Sequence, residues 1–107
     1  MKIGQEITIR EDFEINSIVS NTAINIKEGD KAFLDSKGFL HITTGKGRGK
    51  IVKMDGIEPT GYDYGNISKM ILNRLNGVFG LEIYLDDEEI DKQEIIDEIE
   101  DVLIDIL

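Results

Sequence analysis

Cysteine and tryptophan are absent from the 107 residues, and proline and histidine occur once each. Without thiols there is no disulfide, no thiolate nucleophile and no cysteine-held zinc or iron-sulfur cluster. A single histidine rules out a multi-histidine metal centre. His41 stands between Leu40 and Ile42 in an alternating stretch, which reads as a side chain on a sheet face. No segment approaches the roughly 20 apolar residues that cross a bilayer, and the opening MKIGQEITIR has no continuous apolar stretch of the secretory kind, so a cytoplasmic location without a membrane partner is expected. Aromatic residues make up 7% of the chain. They offer little material for a dry pocket that would shift a carboxylate pKa, and the sequence leads us to expect neither an enzyme nor a bound cofactor or metal.

What is present describes a folded chain. Forty per cent apolar and 32% charged residues suit one domain spanning 1–107, with a β-rich part over 1–57 and a helical part over 63–107. A β module of that size buries little alone and amphipathic helices need a partner surface, so one shared core is expected. The formal net charge of −10 is unevenly placed. Residues 82–107 carry twelve acids and one base, Lys92, for a net −11, whereas Lys37, Lys46, Arg48, Lys50 and Lys53 follow one another between Asp35 and Asp55 with no acid among them.

The first half has the period of strands. EITIR alternates Ile7 and Ile9 with polar residues, and KAFLDS and FLHITT flank a turn in which Gly38 can take a positive φ, which predicts strands over 31–35 and 39–44. A further strand is expected over 50–55. Pro59 ends this region, because the residue before a proline is pushed out of helical angles. Beyond it Ile67, Met70, Ile71, Leu75 and Val78 recur at three and four, predicting a helix over 66–76 capped by Asn66 and ended by Gly77. Residues 78–85 fit either a strand or a packed loop. Asp91 then opens a second amphipathic helix over 92–106, with Glu94 placed to complete a capping box and Ile95, Ile96, Ile99, Val102, Leu103 and Ile106 on one stripe. The architecture expected is α+β: a small antiparallel sheet or barrel packed with two C-terminal helices.

The stretch TTGKGRGKIV, residues 43–52, raises the question of phosphate binding. A P-loop needs G-x-x-x-x-G-K-[ST] between a strand and a helix. With Gly49-Lys50 in register, Thr44 stands where a glycine belongs and Ile51 where the hydroxyl belongs, and the next element reads as a strand. A dinucleotide fingerprint fails because Lys50 occupies its third glycine position. A bend between strands with solvated cations is the favoured reading. The run from Ile26, Lys27, Gly29 and Asp30 to Gly47, Gly49 and Ile51 resembles the core of small SH3-like barrels of the KOW kind. That resemblance covers about a quarter of the chain, and it implies RNA or protein contact through Lys46, Arg48 and Lys50. Residues 72–90 are similar to the segment after the prosthetic-group serine of acyl carrier proteins. The serine position falls on Gly65, so no arm attaches and carrier function is not expected.

The acids at 86–91 do not make a calcium loop, because Lys92 stands where an EF-hand needs its glycine. Gly61-Tyr62-Asp63-Tyr64-Gly65 places two tyrosines in a flexible linker, where they would either anchor a partner or seal the junction of sheet and helix. The sequence therefore points first to a non-enzymatic protein-interaction module, an accessory protein of a bacterium or its mobile elements, acting through Tyr62, Tyr64 and the acidic face of the last helix, Asp97, Glu98, Glu100 and Asp101. Two alternatives stand beside it. One is nucleic-acid binding through Lys46, Arg48, Lys50 and Lys53, and the other is an acidic nucleic-acid mimic that binds a basic protein.

Overall fold

A computed structural model describes residues 1–16, 23–53 and 56–107, which divide into two units, Met1–Gly61 and Tyr62–Leu107. The first unit is built on strands: β1 (Glu6–Thr8), β2 (Phe13–Asn16), β3 (Ala23–Ile26), β4 (Lys31–Leu34), β5 (Phe39–Ile42) and β6 (Ile51–Lys53). All pairings are antiparallel. One sheet has the order β1-β4-β5-β6, and β2 and β3 form a separate two-stranded sheet.

Register explains the core. Ala32 lies opposite both Ile7 and Ile42, and Leu34 lies opposite Leu40, so the alternation puts Ala32, Leu34, Leu40 and Ile42 on one face. All four are buried, together with Ile9 and Ile26, and the half-buried Ile7, Phe13, Ile15, Ile24, Val52 and Ile57 pack around them. Each fully buried Leu or Ile contributes about 1.5–3 kcal/mol relative to leaving it exposed. Phe33 and His41 face each other across β4 and β5 on the other side, with ring centroids 4.6 Å apart and planes 9° from parallel.

The α+β class is as expected, but the described strands do not close into a barrel. Among the described residues β1 pairs with β4 alone and β6 with β5 alone, while β2 and β3 pair only with each other. Both end strands of the larger sheet are three residues long and offer few ladder hydrogen bonds for a closing pair. β4 and β5 are also shorter than predicted. Asp35 leaves the strand and turns its carboxylate back, accepting from the amides of Lys37 and Phe39 at 2.9 Å each, and Gly38 takes the left-handed φ of 88° that the turn needs. Met54 and Asp55, the end of the strand predicted over 50–55, lie outside the described residues.

The second unit holds three helices, α1 (Tyr64–Phe79), α2 (Leu81–Asp87) and α3 (Lys92–Ile106), where two were expected. The cap of α1 is Asp63 rather than Asn66: the Asp63 carboxylate accepts from the Asn66 amide at 3.1 Å, so the capping residue lies one turn earlier than the apolar pattern suggests. Nor does α1 stop at Gly77. Gly80, at φ 63°, takes the left-handed cap and donates its N–H to the Asn76 carbonyl at 2.8 Å. Residues 78–85 are consequently neither strand nor loop but the last turn of α1, the Gly80 bend and the start of α2. The Asn76 side chain accepts from the Glu82 amide at 2.7 Å and so caps α2 across the bend. α3 has the predicted limits, and Asp91 accepts from the Gln93 amide at 2.9 Å.

α3 packs along α1. Ser68, fully buried, donates to the Tyr64 carbonyl at 2.7 Å, which satisfies its hydroxyl within the helix. Leu72 of α1 and Leu85 of α2 are the buried apolar residues of the described part of this unit, and α3 has none fully buried. No described helix is long and apolar enough to cross a membrane.

Candidate functional site

The glycine-rich loop between β5 and β6 is shaped by packing. The amides of Arg48, Gly49 and Lys50 donate to the carbonyls of Gly45, Ile42 and Gly47 at 3.2, 2.8 and 2.9 Å, so they are spent on the loop's own backbone instead of pointing at an anion. Gly47 is buried, and a Cβ there would lie 2.0 Å from Ile26 Cδ1; a Cβ at Gly45 would meet the Asp30 carboxylate at 2.6 Å. These glycines let the backbone approach the core and the β3–β4 turn. Lys46, Arg48, Lys50 and Lys53 are all exposed, and none is in an ion pair among the described residues.

His41 is tied to the turn beneath it. Its Nε2 lies 2.8 Å from Asp35 Oδ2, and both side chains are about a quarter exposed, at 29% and 26%. Burial alone would raise the Asp35 carboxyl. The hydrogen bond to His41, those from the Phe39 and Lys37 amides and the nearby imidazole charge outweigh it and hold the group below its ordinary value. The pair clips the β4–β5 hairpin.

The two linker tyrosines are engaged within the helical unit. Tyr62 and Tyr64 stack with centroids 5.9 Å apart, and the Tyr64 hydroxyl donates to the Leu107 carbonyl at 3.0 Å, tying the first residue of α1 to the end of α3. The acids of α3 diverge. Asp97 accepts from the Gln93 side chain at 2.8 Å, Glu98 and Asp101 are exposed, and Glu100 is half-buried with Oε1 3.9 Å from where a Cβ on Gly65 would stand, close to the first turn of α1. Lys92, the base of α3, is hydrogen-bonded to Glu82 of α2, and this bond and the lysine charge lower the Glu82 carboxyl. Among the described residues no three His, Asp or Glu side chains converge as a metal site would require.

Two features of the helical unit were not picked out from the sequence. Val78, Phe79, Ile83 and Tyr84, around the Gly80 bend, are 63%, 68%, 75% and 60% exposed. On α3, Val102 and Ile106 are 55% and 73% exposed, and Ile90, Ile95 and Ile99 line a shallow groove with Glu94, Asp97 and Glu98. The available signal was width: the apolar stripe of α3 is broader than contact with one neighbouring helix can cover. The charge also sorts by unit. Tyr62–Leu107 contains thirteen acids against Lys69, Arg74 and Lys92, for a net −10, while Met1–Gly61 holds nine acids and nine bases. No family model matches the chain, and neither a curated protein nor a solved structure matches it.

Proposed function

We propose that the protein is a non-enzymatic protein-interaction module whose docking element is the helical unit. The observation that carries this reading is the exposed group Val78, Phe79, Ile83 and Tyr84, placed on successive turns either side of the Gly80 bend. Singly exposed apolar residues are ordinary on a protein surface, but four of them between residues 78 and 84, two of them aromatic, have the composition that binding surfaces use for their anchors. The test is retention of a protein from an extract with and without nuclease treatment, at two salt concentrations, by the native chain and by a Phe79→Ser/Ile83→Ser variant. Both side chains are exposed, so the variant should keep its fold. Loss of the retained protein in the variant supports the reading, and retention of nothing, or of nucleic acid alone before nuclease, refutes it.

A second reading is nucleic-acid binding through Lys46, Arg48, Lys50 and Lys53, favoured by their common exposure without carboxylate partners. Four phosphate contacts would give a salt slope of about −3 to −4 in log–log form. Replacing Lys46, Arg48 and Lys50 by glutamate should abolish such binding, and binding left unchanged by that replacement eliminates this reading.

A further inference from the structure

The α3 surface specifies its occupant more narrowly than the cluster at the Gly80 bend does. Ile95, Ile99, Val102 and Ile106 follow one another at spacings of four, three and four, the repeat that forms a straight seam for a second helix. Ile95 and Ile99 are half-buried in a helix that packs along α1, as are Ile96 and Leu103 one position further round, so this side of the seam is partly covered, while Val102 and Ile106 stand exposed at its far end. The other side is acidic: Glu98 and Asp105 immediately precede Ile99 and Ile106, and Glu94 and Asp101 stand behind them. The groove at the start of the seam, lined by Ile90, Ile95 and Ile99 with Glu94 and Glu98, has the same composition. Lys92, the base in α3, already bonds Glu82.

We infer that this seam seats a cationic amphipathic helix of a partner protein, with apolar residues laid between Ile95 and Ile106 and Lys or Arg side chains set against Glu98 and Asp105. The inference rests on the reading of the helical unit as a docking element. Charge complementarity selects the occupant. A second copy would bring another unit of net −10 against the same acidic rail, and an anionic lipid surface would be repelled in the same way. The seam from Ile95 to Ile106 runs about 18 Å, enough for close to two heptads of a partner.

The probe is a synthetic helical peptide of about three heptads with Leu at the two seam positions and Lys at the flanking ones, titrated into the isotope-labelled full chain. The expected result is saturable binding with amide shifts concentrated on residues 94–106, weakened by salt and reduced about tenfold or more both by Val102→Ser/Ile106→Ser and by Glu98→Lys/Asp105→Lys. All four positions are exposed, and circular dichroism is the check that each variant keeps its helices. Absence of α3 shifts, equal binding of a peptide with Glu in place of Lys, or equal binding of a Lys peptide whose Leu residues are replaced by Ser overturns the inference. So does a dimer that either pair of substitutions dissolves, which would make a second copy the occupant. If the peptide fails while the extract partner is still lost in Phe79→Ser/Ile83→Ser, this inference alone falls. If no protein is retained either, the docking reading falls with it.

Discussion

Adding one methyl at residue 47 tests whether the glycine-rich loop is a packing device. In Gly47→Ala the new Cβ would lie 2.0 Å from Ile26 Cδ1, against about 3.5–4.0 Å for carbon atoms at rest. Ile26 is fully buried and cannot swing its end methyl into solvent. Gly47 does not occupy the left-handed region, so the penalty is steric rather than conformational. Overpacking of this kind costs about 1–3 kcal/mol. The next contacts, 3.4 Å to Ile42 Cγ2 and 3.5 Å to Ile26 Cγ1, are near ordinary van der Waals distance. Ile26→Val removes the offending methyl at a cost of about 0.5–1.5 kcal/mol. The double variant should therefore be about as stable as Ile26→Val alone, giving a coupling of about 1–3 kcal/mol in a double-mutant cycle. The assay is urea unfolding read from the amide signals of β4 and β5, so that the first unit is followed separately, with the midpoint moving at unchanged slope. A Gly47→Ala variant within about 0.5 kcal/mol of the native protein, or strictly additive effects, would refute the reasoning.

Three other outcomes are expected. Asp35 has a folded-state pKa held below its ordinary 3.8, so its contribution is whole above that pH and is lost as pH falls through the depressed value; the acid limb of hairpin stability should flatten in Asp35→Asn, and an unchanged limb counts against the clip. Asn76→Ala leaves the Glu82 amide without its acceptor and should cost about 1 kcal/mol, seen as faster amide exchange at the start of α2. Tyr64→Phe removes the hydroxyl that holds the Leu107 carbonyl, at a cost of about 0.5 kcal/mol. It should loosen the last turn of α3 without moving the amides of β4 and β5, and unchanged exchange at residues 103–107 would show that the bond is not maintained in solution.

The parts of the fold legible in sequence were those in which local chemistry and apolar period agree. α3 follows directly from Asp91 and the isoleucine stripe, and the β4–β5 hairpin follows from alternation on both sides of Gly38. α1 extends beyond the expected limits at both ends: Asp63 caps it one turn before Asn66, and Gly80 ends it one turn after Gly77, in each case a residue of the type that suits the same role. Only the backbone, left-handed at Gly80, decides between the glycines. Leu81, Ile83 and Leu85 alternate as a strand would, yet three residues cannot separate a short helix from a strand. Strand pairing depends on partners far away in sequence, so whether the sheet closes was beyond local pattern. At the candidate site the charge segregation was plain in the sequence. The exposure of Phe79, Ile83 and Val102 was not, since an apolar stripe does not record how much of itself a neighbour covers.

The bend at Gly80 also sets the shape of its helices. Were this residue right-handed, α1 and α2 would fuse into one straight rod over 64–87, about 36 Å long. Leu85, one of two buried apolar side chains in the described part of this unit, would be carried along that rod. A side chain at position 80 shifts the balance toward the rod by about 1–2 kcal/mol through the left-handed penalty alone. The handedness of a single residue thus decides whether the chain from 64 to 87 is two helices or one.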